Sequence, residues 1–91
     1  MKYQFPAIRE GIRPRSMRGQ TQKIMEELGE VQLELLIPDP DLAAAAFEAA
    51  NVLHAAETLL RMLEAEGVDV DAAILETVEK NRERGYYGAD V

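Results

Sequence analysis

The apolar positions of this chain fall into helical periods throughout. Between residues 16 and 37, Ile24, Leu28, Val31 and Leu35 recur at spacings of four, three and four, the single stripe of an amphipathic helix. Ser16 or Thr21 can cap its start, and Pro38 and Pro40 end it. A second helix is predicted over 41–66, with Ala45, Ala49, Val52, Ala56, Leu59 and Leu63 on one face and neither glycine nor proline inside it. Asp39 followed by Pro40 has the form of an N-cap and a first helical residue, and Gly67 suits the position just past the helix end. A third helix over 70–84, capped by Asp69 or Asp71, bears Ala73, Ile74, Val78 and Asn81 and stops at Gly85. Residues 1–15 contain Pro6, Gly11 and Pro14 without a sustained period and read as an extended basic arm. No strand pattern competes, and no internal repeat appears.

Composition narrows the class. Ninety-one residues make one domain, spanning 1–91, which buries only about 60–65% of its unfolded surface. Hydrophobic residues are 47% of the chain, but nearly a third of them are alanine, so the core has many members and little bulk. The alanines from Ala43 to Ala46, with Ala49, Ala50, Ala55 and Ala56, let another helix approach closely. The expected fold is therefore all-α, a small antiparallel bundle of three main helices completed by oligomerisation as a homodimer or homotetramer. Aromatics at 5% and the absence of tryptophan argue against a β-sandwich or barrel. Zero cysteines exclude a disulfide framework and a thiolate zinc site. No apolar run approaches a membrane span, and no leader pattern opens the chain, so a cytoplasmic location is expected.

The net charge of −7 conceals an asymmetry. Lys2, Arg9, Arg13, Arg15, Arg18 and Lys23 face only Glu10 in the first 25 residues, and Lys80, Arg82 and Arg84 lead the C-terminal segment. Between them, from Glu26 to Glu79, Arg61 is the sole base among many acids. Mutual neutralisation across the surface is one reading of this pattern. An acidic metal site with phosphate-binding cations brought from both ends is the other. The overall acidity makes duplex nucleic acid and anionic membranes unfavourable partners.

At about 100° per residue, Glu27 and Glu30 project beside the apolar stripe of the first helix, with Glu34 on the same side. On the second helix Glu48 flanks the stripe, Asn51 follows three residues on, and His54 and Glu57 occupy the far side. Antiparallel packing would set the two oxygen-bearing pairs face to face, an all-oxygen cage of the kind Mg²⁺ or Mn²⁺ requires. A solvated acidic face would produce the same spacing. The scarcity of bases favours the cage, since concentrated carboxylates destabilise short helices unless a cation compensates.

Three segments carry a family resemblance: Lys23-Ile24-Met25-Glu26-Glu27-Leu28-Gly29-Glu30-Val31, then Phe47-Glu48-Ala49-Ala50-Asn51-Val52-Leu53, then Glu79-Lys80-Asn81-Arg82-Glu83-Arg84. Over roughly residues 16–87 the chain resembles the MazG-like all-α nucleoside triphosphate pyrophosphohydrolases, whose pattern is ExxE on one helix, ExxD on the next and a basic helix after them. The resemblance implies metal ligation by Glu27, Glu30 and Glu48, with Mg²⁺ as cofactor and Mn²⁺ as a substitute. It also implies an accessory acid at Glu26 and hydrolysis of a (d)NTP to (d)NMP and pyrophosphate. Asn51 stands where the family has aspartate; its amide oxygen can ligate a cation but brings no charge.

On that resemblance, Glu26 or Glu30 would orient the attacking water. Lys80 and Arg84, four apart, would hold phosphates, and Asn81 would hydrogen-bond sugar or base. Lys80 and Arg84 are expected at the acidic cleft, from this chain or a neighbouring subunit. The competing role for those two cations is pairing with the C-terminal helix dipole. Tyr86 and Tyr87 are expected to pack against the bundle end rather than on a base, and His54 to be an ordinary surface residue. The alternative function is a catalytically weakened interaction or nucleotide-sensing module, for which Asn51 is the distinguishing feature.

Overall fold

The computed structural model describes residues 2–9, 11–12 and 16–88; Glu10, Arg13, Arg15 and Asp90 lie outside them. Three helices follow in order, α1 (Met17–Leu36), α2 (Leu42–Ala65) and α3 (Val70–Glu83), and no strand occurs among the described residues. Each begins on a side-chain cap. Ser16 Oγ accepts from the Gly19 N–H at 3.0 Å, Asp41 from Ala44 at 3.1 Å and Asp69 from Ala72 at 2.9 Å. The cap of α2 is thus Asp41 rather than Asp39: Pro40 disfavours helical backbone at the residue before it, and the first helical residue is Leu42. Ile37, immediately before Pro38, ends α1 in extended conformation for the same reason. Gly67 and Gly85, at φ +95° and +79°, end α2 and α3 in the left-handed conformation that glycine adopts without strain.

Helices α1 and α2 form an antiparallel hairpin. Gln20 near the start of α1 meets Ala55 far along α2, and the Glu34 carboxylate near the end of α1 accepts the Asp41 N–H at 3.1 Å at the start of α2. A third, antiparallel member of one bundle was expected in α3. Instead it leads away after Val70, its buried first residue, and nearly all of its remaining length is exposed. The molecule measures 45 × 43 × 21 Å with a radius of gyration of 15.6 Å, against about 12 Å for a compact chain of this length.

The packed interior is correspondingly thin: Ala45, Ala55 and Val70 are the buried apolar residues among those described. Of the predicted α1 stripe, Ile24 and Val31 turn inward, but Leu28 and Leu35 remain 56% and 51% exposed. They share one open face of the hairpin with Leu42 and Leu53 of α2, which are exposed as well. No helix among the described residues is long and apolar enough to cross a membrane.

The N-terminal arm is ordered by α2. It runs antiparallel along a face of α2 formed by His54, Glu57, Arg61 and Glu64. The Glu57 carboxylate accepts the backbone N–H groups of Gln4 and Phe5, each at 2.9 Å. Arg61 donates to the Phe5 carbonyl at 2.8 Å and lies over the Tyr3 ring at 4.1 Å, while Lys2 pairs with Glu64. Phe5 stacks on His54 with ring centroids 4.7 Å apart.

Candidate metal centre and adjoining cleft

The hairpin register brings Glu27 and Glu30 of α1 against Glu48 of α2. One carboxylate oxygen from each lies within 4.8 Å of the others. Three oxygens that close can share one divalent cation. Glu48 Oε2 is sealed from solvent and has no hydrogen-bond partner. A buried carboxylate oxygen left alone is costly, and a cation between the three acids would satisfy it. The donors are all hard oxygens, so Mg²⁺ and Mn²⁺ fit and softer metals do not.

Electrostatics within the cluster follow from crowding. Glu30 is held above the ordinary carboxyl value of 4.5, first by the hydrogen bond that its protonated form donates to the adjacent Glu48 carboxylate, then by the charges of Glu27 and Glu48. Lys23 reaches Glu27 at 2.9 Å from one turn earlier and is itself shifted upward by that contact. Among the described residues, the Lys23 ammonium thus offsets part of three negative charges.

Beside the cluster lies an open cleft of about 630 Å³. Ile8 and Ile12 of the arm form one side, Gln20, Gln22 and Lys23 of α1 another, and Asn51, His54 and Ala55 of α2 the floor. Glu26 and Glu27 line it too, so Glu27 belongs to both the acidic cluster and the cleft. Asn51 lines the cleft together with Glu27. Among the described residues, the side chains of Asn51 and Gln22 have no hydrogen-bond partner.

The α3 residues are not brought to this place within one chain. Lys80 pairs with Glu76 at 3.0 Å, Asn81 donates to the Tyr87 hydroxyl at 3.4 Å, and Arg84 lies 5.8 Å from the Tyr86 ring centre. None lines the cleft. Tyr86 is exposed on the same C-terminal segment rather than packed against the hairpin, because α3 itself leads away.

Two further expectations are corrected. His54 is no ordinary surface residue: it is half-buried under Phe5, lines the cleft, and its Nε2 is sealed without a partner. Glu57, placed with it on a solvated side, is 5% exposed because the arm covers it. Gln20 carries no sequence signal for a site, yet it is 2% exposed and donates to the Ala55 carbonyl at 2.7 Å. The one sequence signal for the arm site was the three-four-three spacing of His54, Glu57, Arg61 and Glu64, which places four polar groups of mixed charge on one face.

The chain matches no protein-family model, no curated protein and no solved structure.

Proposed function

We propose that this protein is a metal-dependent nucleotide pyrophosphohydrolase of MazG-like type, cleaving a (d)NTP between its α and β phosphates. The observation that supports this reading is the convergence of Glu27, Glu30 and Glu48 around the partnerless Oε2 of Glu48. These three residues would hold the cation, with Asn51 at the margin contributing a neutral oxygen. When bound, Mg²⁺ or Mn²⁺ supplies charge neutralisation to the triphosphate. Glu26, exposed at the cleft, orients the attacking water by accepting its hydrogen bond. Phosphoryl transfer asks little covalent work of a protein, so positioning and charge account for most of the rate.

In this reading the active form is a homodimer or a tetramer. The open apolar face bearing Leu28, Leu35, Leu42 and Leu53 supports assembly, as does an interior too thin for an isolated domain of this size. Lys80, Asn81 and Arg84 would then meet the triphosphate of a neighbouring subunit, since their own helix leads away from the cluster of the same chain.

Asn51 favours a second reading, a weakened relative that binds nucleotides as an interaction or sensing module. The test is pyrophosphate release from a panel of dNTPs and NTPs with Mg²⁺ or Mn²⁺, for the natural chain and Asn51→Asp. Release by the natural chain, abolished in Glu27→Gln, is expected. Release by Asn51→Asp alone would identify the weakened relative, and release by neither would overturn the hydrolase reading.

A further inference from the structure

The cleft beside the acidic cluster has one wall that does not belong to the helical hairpin. Ile8 and Ile12 come from the arm, and what seats the arm is a buried carboxylate on α2. Glu57 is 5% exposed and accepts two successive backbone N–H groups. These contacts recognise main chain rather than side chains, and so fix the path of the arm at residues 4 and 5. Arg61 holds the Phe5 carbonyl from the other side, and Phe5 lies flat on His54.

The lining suits one kind of ligand group. Isoleucine side chains offer apolar flanks to a flat ring, while the partnerless amides of Gln22 and Asn51 offer donors and acceptors at its edge. The volume of about 630 Å³ is in the range of small-molecule sites. Because Glu27 is common to cleft and cluster, a ligand phosphate drawn to the acids through a cation would leave its remaining part at this cleft.

We propose that residues 2–9 act as a strap forming the outer wall of a nucleobase site, and that Glu57 is the positioning residue that seats it. The proposal rests on the nucleotide reading above for the identity of the ring, and on the arm geometry for the role of Glu57. With the strap seated, Ile8 closes over one side of the ring. With the strap loose, the ring loses that wall while the acidic cluster keeps its shape.

The test uses the full chain, ¹⁵N-labelled, titrated with a set of nucleosides and separately with inorganic pyrophosphate and Mg²⁺. At least one nucleoside is expected to shift the amide signals of Ile8, Ile12, Asn51 and His54. Glu57→Gln and Ile8→Ser are each expected to weaken its binding tenfold or more, while pyrophosphate affinity stays within twofold. Ile8→Ser guards against a folding defect in Glu57→Gln, since Ile8 anchors nothing on α2 by hydrogen bond. No nucleoside-induced shift at the cleft, unchanged nucleoside affinity in both variants, or an equal loss for pyrophosphate would overturn the proposal. Nucleoside binding that responds to both variants, without any pyrophosphate binding, would uphold the strap and remove the hydrolase reading alone.

Discussion

The Gln20 side-chain amide donates to the Ala55 carbonyl at 2.7 Å across the hairpin, and both residues are buried. This polar contact sits at the open end of α1 and α2, and Glu34 with Asp41 sits at the connected end. Between the two the helices cannot slide, so Glu27 and Glu30 must oppose Glu48. Gln20→Ala is therefore expected to lower stability by about 1–3 kcal/mol, through the lost hydrogen bond and the space left behind. Each kcal/mol corresponds to roughly 4–8 °C in a domain of this size, which thermal unfolding followed by circular dichroism will read.

Divalent cations should stabilise the folded chain by mass action. At a hundredfold excess over the dissociation constant the gain is about 2.7 kcal/mol, or more than ~10 °C in Tm. Glu27→Gln should remove most of that rise. In the metal-free protein the same change relieves repulsion and loses the Lys23 pair, an i,i+4 contact contributing about 0.3–0.5 kcal/mol, so its metal-free Tm should stay close to that of the natural chain. A cation-independent Tm together with an unfolded Glu27→Gln would show that these acids are structural.

Two carboxyls give opposite pH dependences. Glu30 is shifted upward by Glu48 and Glu27, so the folded state binds its proton more tightly than the unfolded one. Its contribution is fully present below 4.5 and is lost as pH rises through the raised value. Saturating Mg²⁺ or Glu30→Gln should flatten this dependence.

Glu64 is shifted downward, first by hydrogen bonding from Lys2. Its contribution is present above 4.5 and is lost as pH falls through the lowered value. The pair is partly exposed, so the effect is modest and screened by salt. Tm against pH at low and high salt, for the natural chain and Glu64→Gln, distinguishes it from the Glu30 effect.

The open apolar face should be where copies of the chain meet. Sedimentation of the natural protein is expected to give a mass at least twice the 10.1 kDa of one chain. Leu28→Glu combined with Leu53→Glu should shift it toward the monomer, because like charges would be forced together on a desolvated surface. A compact monomer of the natural chain at micromolar concentration would exclude assembly through this face.

The sequence by itself determined the three helices and, apart from the cap of α2, their ends. Apolar periods, the caps Ser16 and Asp69, the prolines at 38 and 40 and the glycines at 67 and 85 act within a few residues of where they stand. The same local geometry placed Glu27 and Glu30 on one side of α1 and Glu48 beside the stripe of α2, so the cluster needed only an antiparallel turn to form. Tertiary structure alone decided that Glu57 and His54 are covered and that α3 leads away from the hairpin. Glu57 meets its partners across more than fifty residues and binds their backbone N–H groups, which every residue except proline carries. No side-chain pattern can announce such a contact. The course of α3 follows the turn at Glu66–Gly67, after which Val70 is buried while Ile74 and Leu75 stay exposed. Those are properties of packing in space, and a period along the chain does not contain them.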